Sequence, residues 1–360
     1  MKIKAAVTYR QGENFKIEQI TLDEPKAGEV LVRIAASGIC ATDIHVQNQE
    51  YAFPLPAVLG HEGSGVVEKV GEHVHAVKIG DHVVLSYAYC GHCKACRAGT
   101  PFECDDYDEL NFGGKMADGS SRIHQNGQEL SVFFGQSSFA THVVVNRNSI
   151  VKVNKDIDLT LLGALGCGIQ TGSGTVLNLF QLGPGSSIAV FGAGAVGMSA
   201  IMAAKLVGSR IIIAVDRHEH RLNLARDLGA THVLNAGEVD VIAEIKRITG
   251  SGVQYVLEAT GHSSVADQAV DALDRNGRLA YVAGSPNLSE DAMRKRKLTI
   301  MAVIEGNSVP QVFIPRLIEF YKLGKFPFDK LVKYYPFEEI NRAVADARSG
   351  ATIKPVITMP

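Results

Sequence analysis

The sequence predicts an α/β protein of two domains, in which a doubly wound parallel-sheet domain is inserted into a mainly β domain. A chain of 360 residues is long enough for two domains. Its first 150 residues contain short runs rich in Val and Ile that are separated by glycine turns. After residue 186, apolar runs of strand length alternate with segments of helix length, which is typical of βαβ units and a parallel sheet.

The same patterns place the individual elements along the chain. In the first part, strands are predicted at 2–8, 30–37, 64–70 and 82–86. In the second part the predicted elements are, in chain order, a strand at 187–191, a helix at 196–207, a strand at 211–215, a helix at 218–228, a strand at 253–258, a helix at 265–273, a strand at 278–282, helices at 309–323 and 337–348, and a strand at 353–358. We expect residues 1–168 and 305–360 to form the mainly β domain, and residues 169–304 to form the inserted domain.

Charge and composition exclude several classes of protein. The 36 basic and 38 acidic side chains nearly balance, so the chain offers no electrostatic footprint for a nucleic acid. The first residues contain no apolar stretch of signal-peptide length. Residues 159–204 lack charged side chains, but their ten glycines and Pro184 favour a buried strand, turn and helix over a membrane span. We therefore expect a soluble, cytoplasmic protein without nucleic-acid or membrane partners.

A glycine-rich turn predicts a dinucleotide site. It follows a predicted strand, precedes a predicted helix and reads Gly192-Ala193-Gly194-Ala195-Val196-Gly197. Such glycines let a pyrophosphate approach the backbone at the helix N-terminus. Asp216 ends the next strand, where it would bind the adenosine ribose hydroxyls and repel a 2′-phosphate, whereas Arg217 could serve a 2′-phosphate. The pattern indicates a Rossmann domain that binds NAD; the alternative is a glycine-rich turn followed by a solvated aspartate.

Four cysteines within fifteen residues predict a metal site. Their spacing is Cys90-x2-Cys93-x2-Cys96-x7-Cys104, and four thiolates without a place for water form a closed, structural zinc site in the lobe 90–104. The alternative is an iron–sulfur cluster. In the cysteine motifs that bind iron–sulfur clusters, fewer residues separate the last two cysteines, and a proline follows the last one. Here seven residues separate Cys96 from Cys104, and Asp105 follows, so zinc is favoured.

The remaining cysteines, Cys40 and Cys167, are far apart in the sequence, and Gly60-His61-Glu62 lies between them. Two Cys and one His would leave a fourth zinc position open, as in catalytic zinc sites. A lone buried cysteine is more often a small apolar residue than a ligand. Spacing alone therefore does not pair these residues.

Several motifs together resemble the zinc-containing alcohol dehydrogenases of the medium-chain dehydrogenase/reductase superfamily. In chain order they are Gly38-Ile39-Cys40-Ala41-Thr42-Asp43-Ile44-His45, Gly60-His61-Glu62-x2-Gly65-x5-Gly71-x2-Val74, the four-cysteine lobe, and Gly166-Cys167-Gly168-Ile169-Gln170-Thr171-Gly172. The resemblance covers essentially the whole chain. It implies a GroES-like catalytic domain beside the Rossmann domain, two zinc ions per chain, and catalytic zinc on Cys40, His61 and Cys167, with Glu62 as an occasional ligand or a neighbouring carboxylate.

The resemblance also implies roles for further residues. Thr42 matches the hydroxyl that contacts the alcohol, His45 the imidazole at the solvent end of a proton relay, and Asp43 the carboxylate that orients the histidine ligand. Thr171 resembles the residue that packs against the nicotinamide, and Arg221 the basic partner of the adenosine ribose.

One position departs from the pattern of the family. Many relatives carry Arg or His directly after the first cysteine ligand to hold the pyrophosphate, and Ala41 cannot do so. Lys354 resembles another phosphate-binding position, so we expect cofactor affinity to depend more on it.

The substrate subgroup is indicated by two segments, Glu305-Gly306-Asn307-Ser308-Val309-Pro310-Gln311 and Phe313-Ile314-Pro315, which resemble bacterial aryl-alcohol and geraniol dehydrogenases. The implied reaction is reversible oxidation of primary aromatic or allylic alcohols to aldehydes. An aromatic pocket would suit such substrates, and its candidates are Phe133, Phe134, Tyr51, Tyr87 and Tyr89.

Two alternatives to this reaction stay open. One is glutathione-dependent formaldehyde oxidation. The stretch Gly119-Ser120-Ser121-Arg122, followed by Phe133-Phe134-Gly135-x3-Phe139, resembles the longer alcohol dehydrogenases, which include glutathione-dependent formaldehyde dehydrogenase. The other is a non-catalytic nucleotide-binding protein, although Cys40, His61 and Cys167 are all present. By analogy with the family, the chain is expected to form a homodimer or homotetramer.

Overall fold

The computed structural model describes residues 1–287 and 290–360. Contacts divide them into two units, of which the first comprises Met1–Gly168, Val309–Arg316 and Asp329–Pro360. The second comprises Ile169–Ser308 and Leu317–Phe328. Within the part of the chain described here, no helix is long and apolar enough to cross a membrane.

The first unit is built on mainly antiparallel sheets. One sheet has the strand order Gln128–Glu129, Ile123–Gln125, Lys16–Leu22, Lys2–Thr8, Ala57–Val58 and Ser131–Val132. Another has the order Ile150–Val153, His82–Leu85, Glu62–Val70, Glu29–Gly38, Lys354–Thr358 and Val332–Pro336, with His142–Asn146 also paired to Glu29–Gly38. The Val- and Ile-rich strands bury most of their side chains in one continuous core.

The helices of the first unit are short and lie between these strands. The α-helices are Ala41–Gln47, Lys94–Arg97, Tyr107–Phe112, Leu159–Leu162 and Ile340–Arg348, and the 3₁₀ turns are Pro101–Glu103, Arg147–Ser149, Gly163–Leu165 and Phe337–Glu339.

The second unit contains a parallel sheet. Its strand order is His232–Asn235, Ile211–Asp216, Ser187–Phe191, Val253–Glu258, Leu273–Tyr281 and Thr299–Ala302. Numbered along the chain, this order is 3-2-1-4-5-6, so the connections reverse direction beside Ser187–Phe191. The carboxyl ends of the strands on either side of that point are where a doubly wound sheet binds its nucleotide.

Helices accompany this sheet. They are Ala195–Leu206, Glu219–Leu228, Val241–Thr249, Ser263–Asp271 and Glu290–Arg296. A further helix, Gly168–Gly174, continues as a π-helix over Thr175–Phe180, and a 3₁₀ turn spans Glu305–Asn307. Helix Pro310–Lys322 and the 3₁₀ turn Phe328–Leu331 each contain residues of both units. The predicted fold class, a doubly wound parallel sheet with a mainly β domain, is confirmed.

Two expectations about segments were wrong. The uncharged stretch 159–204 forms a strand, turn and helix only from Ser187 onward, because its first half is helical. Residues 305–308 and 317–328 were expected with the mainly β domain but group with the second unit. The Phe328 ring packs there on the rings of Tyr321 and Phe326, with centroids 4.9 and 6.2 Å apart.

Candidate active site

The first unit brings Cys40, His61, Glu62 and Cys167 together. Cys40 and Glu62 lie at neighbouring ends of strands Glu29–Gly38 and Glu62–Val70, where Gly38 pairs with Glu62. Cys167 follows a short helical segment that packs beside these strands. One potential ligand atom from each of the four residues lies within 4.8 Å of the others. Spacing alone left the pairing open; the strand register brings Cys40 beside His61 and Glu62, and the packed helical segment brings Cys167 to them.

The donor atoms of this cluster fit a zinc ion. His61 is fully buried, and its Nε2 has no hydrogen-bond partner among the described residues. Its Nδ1 lies 3.0 Å from Asp43 Oδ1, so the ring is fixed with Nε2 directed to the cluster. The hydrogen bond with Cys167 lowers the pKa of the Cys40 thiol well below its usual range despite burial, which favours a thiolate. Two sulfurs and an imidazole nitrogen are the ligands that zinc prefers.

Asp43 is the centre of a buried hydrogen-bond network. Besides His61, its Oδ1 accepts from the backbone N–H of Gly60 at 3.0 Å, and its Oδ2 accepts from the N–H of Cys40 at 2.9 Å. The carboxylate therefore joins the segments that carry two of the ligands. Such an outer contact fixes both the tautomer and the orientation of a histidine ligand.

Glu62 is held by Lys354 rather than left free beside the cysteines. The Lys354 ammonium lies 2.8 and 2.7 Å from the two Glu62 oxygens, and the N–H of Gly168 donates to Glu62 Oε1 at 3.1 Å. Burial acts to lower the pKa of Lys354, but the Glu62 charge outweighs it and raises the pKa above its ordinary value. The structure therefore disagrees with the expected phosphate contact of Lys354, whose ammonium is buried and already paired.

Thr42 and His45 lie on helix Ala41–Gln47, one turn apart. Thr42 Oγ1 is 3.6 Å from Cys40 Sγ, so its hydroxyl lies beside the cluster of Cys40, His61, Glu62 and Cys167. The His45 side chain is 40% exposed, and its Nδ1 lies 2.5 Å from Glu50 Oε2. The Tyr51 ring packs on His45 with centroids 5.2 Å apart. A hydroxyl beside the metal and an imidazole at the surface are the two ends that a proton relay needs.

The predicted aromatic residues lie in different surroundings. Phe134 stacks on the His61 ring at 4.5 Å, and Phe133 meets the same ring edge-on at 5.4 Å. Both phenylalanines and Tyr87 are buried in the core, whereas Tyr89 is half-buried and Tyr51 is exposed. Phe133 and Phe134 therefore hold the His61 ring in place. Partly buried Phe112, which the sequence analysis did not single out, packs against both of them.

The lobe 90–104 gathers its four cysteines. The sulfurs of Cys90, Cys93, Cys96 and Cys104 lie within 4.8 Å of one another. Backbone N–H groups of Cys90, Cys93 and Cys96 donate to neighbouring sulfurs at 3.3–3.4 Å. The hydrogen bond from the Cys96 N–H lowers the pKa of Cys93 to about 6. Four converging sulfurs that accept backbone hydrogen bonds fit a structural zinc ion.

A cleft of about 280 Å³ lies at the carboxyl edge of the parallel sheet in the second unit. Gly192, Gly194, Asp216, Arg217 and Arg221 all line it. Gly192 has φ +92°, and a Cβ on Gly197 would lie 1.9 Å from the Gly192 carbonyl oxygen. The glycine turn and the following helix therefore tolerate no side chain at these positions.

The acid at the end of strand Ile211–Asp216 is fixed by backbone groups. Asp216 Oδ2 accepts from the N–H of Ala193 at 2.8 Å, and Oδ1 accepts from that of His218 at 2.9 Å. Arg221 Nη1 lies 3.9 Å from Asp216.

Val196 lies in the helix after the glycine turn, and its carbonyl oxygen would be 1.9 Å from a Cβ on Gly172. Thr171 is buried next to Gly172.

Sequence reasoning missed two carboxylates. Glu50 contacts His45 but lies beyond the end of its helix, where helical periodicity gives no signal. Glu258 is fully buried at the end of strand Val253–Glu258 and accepts from the N–H of Thr260 at 2.7 Å. Glu258 ends a buried parallel strand, as Asp216 does. That position in the sequence pattern could have identified Glu258 as a candidate site residue.

Comparisons with known proteins agree with this geometry. Residues 26–155 match the family of alcohol dehydrogenase GroES-like domains, and residues 195–322 match the zinc-binding dehydrogenase family. The chain is 43% identical to geraniol dehydrogenase of Castellaniella defragrans, over 98% of this chain and 97% of that protein. It is 33% identical to an NDMA-dependent alcohol dehydrogenase of Amycolatopsis methanolica, over 99% of each.

Solved structures give the same result. The crystal structure of benzyl alcohol dehydrogenase from Acinetobacter calcoaceticus covers the whole of both chains with a TM-score of 0.97 and 46% identity. An alcohol dehydrogenase zinc-binding domain protein from Burkholderia ambifaria has a TM-score of 0.97 and 48% identity, over 100% of this chain and 99% of that one.

Proposed function

Because this chain belongs to the zinc-dependent alcohol dehydrogenases of the medium-chain dehydrogenase/reductase superfamily, we propose that it reversibly oxidises primary aromatic or allylic alcohols to aldehydes with NAD. The observation that carries the substrate class is similarity over the full length to geraniol and benzyl alcohol dehydrogenases. The converging ligand atoms of Cys40, His61 and Cys167 support the zinc chemistry.

The cofactors define the chemistry, and the residues of the chain direct it. When bound, zinc supplies a Lewis acid that makes an alcohol hydroxyl more acidic, and NAD supplies the hydride acceptor. Cys40, His61 and Cys167 would hold the catalytic ion, and Asp43 orients His61 through Nδ1. The four cysteines of the lobe would hold a second, structural ion.

Thr42 and His45 would move the proton. The Thr42 hydroxyl, 3.6 Å from Cys40 Sγ, is placed to contact the hydroxyl of the alcohol. Glu50 contacts His45 at Nδ1, which leaves Nε2 to accept a proton. Because His45 is 40% exposed, the proton can pass from it to solvent.

The second unit would hold the dinucleotide. The backbone of the Gly192–Gly197 turn would receive the pyrophosphate at the N-terminus of helix Ala195–Leu206. Asp216 would bind the adenosine ribose hydroxyls, with Arg217 and Arg221 beside it in the cleft. Thr171 would pack against the nicotinamide.

The family and the state of the cysteines support proposals about assembly and location. We propose that the chain forms a homodimer or homotetramer, by analogy with the family. Among the described residues the six cysteines form no disulfide, and thiols that serve as metal ligands are best preserved in a reducing compartment, for which we propose the cytoplasm.

Initial rates of NAD reduction with benzyl alcohol, geraniol and ethanol test the substrate class. We expect kcat/KM for benzyl alcohol or geraniol to exceed that for ethanol about a hundredfold, or about 2.7 kcal/mol at the transition state. Formaldehyde with and without glutathione forms a further arm of the experiment. Turnover of the glutathione adduct alone would instead indicate the formaldehyde dehydrogenase reaction. Equal efficiency with all three alcohols would refute the aromatic or allylic preference.

A further inference from the structure

The segment Glu305–Asn307 has an unusual backbone. Its three consecutive residues have φ angles of 50°, 65° and 49°, and two of them are not glycine. Left-handed conformations cost free energy for residues with a side chain, and such strain persists where the surrounding structure enforces it, often at functional sites. The sequence motif that contains this segment has no assigned role in the reaction.

This strained segment packs against helix Gly168–Gly174 and its π-helical continuation. A Cβ on Gly306 would lie 2.5 Å from the Gln170 carbonyl oxygen and 2.7 Å from that of Thr171. A Cβ on Gly174 would in turn lie 2.4 Å from the Gly306 carbonyl oxygen. The two backbones are therefore in direct contact at the turn that carries Thr171.

A buried side-chain hydrogen bond joins the same two segments. Gln170 is fully buried, Glu305 is 5% exposed, and Gln170 Nε2 donates to Glu305 Oε2 at 2.9 Å. Asn178 donates to the Gly306 carbonyl oxygen at 3.2 Å and to Ser308 Oγ at 3.1 Å. The first bond acts next to Thr171, whereas the Asn178 bonds act two turns further along the helix.

We propose that Glu305 is a positioning residue for the nicotinamide end of the cofactor, acting through Gln170 on Thr171. The strained turn presents the Glu305 carboxylate to Gln170, and this bond fixes the first turn of the helix. The inference rests on the proposed function, because Thr171 is assigned to the nicotinamide there. A buried side-chain hydrogen bond is stronger than one in water and costly to break, so it can hold such a turn.

The test compares two ligands on the zinc-loaded enzyme. NADH contains the nicotinamide, and ADP-ribose contains the rest of the dinucleotide without it. For Glu305→Ala, we expect the Kd of NADH to rise tenfold or more, while the Kd of ADP-ribose changes less than twofold. Gln170→Ala is expected to raise the Kd of NADH similarly, and the double variant should bind NADH no more weakly than either single variant, because each removes the same Gln170–Glu305 bond.

Asn178→Ala is the matched control, since it loosens the same segment without touching Gln170. We expect its Kd for NADH to change less than threefold. Three results would each overturn the inference. Glu305→Ala could raise the Kd of NADH and of ADP-ribose equally, it could leave the Kd of NADH unchanged, or Asn178→Ala could raise the Kd of NADH as much as Glu305→Ala does. Glu305→Gln, which keeps an acceptor for Gln170, should bind NADH within threefold of the wild type. Failure of the wild type to bind NADH would instead contradict the proposed function.

Discussion

The Lys354 ammonium lies between both carboxylate oxygens of Glu62 at 2.7 and 2.8 Å, and neither side chain is more than 2% exposed. The pair adjoins Cys40, His61 and Cys167, so the Lys354 ammonium neutralises the buried Glu62 carboxylate beside the two sulfurs and the imidazole. Gly38 makes room for it, because a Cβ there would lie 2.0 Å from Glu62 Oε2. The final strand of the chain thus supplies the counter-ion of Glu62, next to the side chains of Cys40, His61 and Cys167.

Replacement of Lys354 should therefore destabilise the protein strongly. Lys354→Met removes the ammonium but keeps much of the side-chain volume, and leaves the Glu62 charge buried without its partner. We expect the free energy of unfolding to fall by about 3–5 kcal/mol, as for other broken buried ion pairs. Urea-induced unfolding of the zinc-loaded enzyme measures this change.

The double variant Lys354→Met with Glu62→Gln is the control for this prediction. It removes both charges, so it should recover part of the lost stability. A Lys354→Met enzyme within 0.5 kcal/mol of the wild type would show that the pair contributes little.

Asp43→Asn should weaken metal binding without abolishing the fold. The amide can still accept from the Gly60 N–H, but it loses the charge opposite His61 Nδ1, and its NH₂ group would face the N–H of Cys40. We expect a 10–100-fold loss in affinity of the catalytic zinc, as for other outer partners of histidine ligands. The rate of zinc loss to a chelator, measured together with activity, tests this.

The structural lobe provides an internal reference for that measurement. Its zinc would be held by Cys90, Cys93, Cys96 and Cys104, and the hydrogen bonds of Asp43 are with Cys40, Gly60 and His61, so the rate of zinc loss from the lobe should not change. Accelerated loss of both ions would indicate general destabilisation rather than a role for Asp43 at His61.

Local motifs made parts of this structure predictable. The glycine turn, Asp216 and the four-cysteine lobe each act within a short stretch of chain, so spacing alone indicated their chemistry. The alternation of strands and helices gave the parallel sheet. The helix Val241–Thr249 and the strand Lys16–Leu22 were missed, since the amphipathic helix and the half-buried strand carry few continuous apolar runs.

Contacts between residues that are far apart in the chain could not be predicted from the sequence. Lys354 is 292 residues from Glu62, and no local pattern indicates that the last strand lies beside the Cys40 segment. The same holds for Gln170 and Glu305, which are 135 residues apart. Cys40, His61 and Cys167 were joined only by resemblance, and the register of two antiparallel strands gives the physical reason for the first two.

Asp216 should control the choice between NAD and NADP. Its carboxylate lines the dinucleotide cleft together with Arg217 and Arg221, which could attract a 2′-phosphate once the acid is removed. For Asp216→Ser, we expect kcat/KM with NAD to fall tenfold or more and the ratio of NADP to NAD efficiency to rise at least as much. Steady-state kinetics with both cofactors at a fixed alcohol concentration measure the ratio.

Glu219→Gln is the matched control, because it removes an exposed acid three residues further along the chain that does not line the cleft. Its cofactor ratio should equal that of the wild type. An unchanged ratio in Asp216→Ser would remove Asp216 from cofactor selection.

The last prediction concerns the acid stability of the first unit. Arg122 is buried and donates to both oxygens of Glu29, at 2.9 and 2.5 Å, and to Asp118 at 2.8 Å. Burial acts to raise the pKa of Asp118, but hydrogen bonds from Arg122 and Lys26 outweigh it, so the pKa lies well below the usual range. The ionised Asp118 therefore stabilises the folded state.

The pH dependence follows from the sign of that shift. A carboxyl group whose pKa is lowered by folding stabilises the protein above its unfolded pKa of about 3.9, and the effect is lost as the pH falls through the folded-state value. The wild type should thus be more stable than Asp118→Asn at pH 7, and the difference should decline below about pH 4. Urea unfolding of both proteins between pH 3 and 7 measures this difference in stability.

Because Asp118 is 41% exposed, solvent and salt screen its interaction with Arg122, so the difference in stability should also shrink in high salt. A difference that stays constant down to pH 3 would mean that Asp118 acts through packing rather than through its charge.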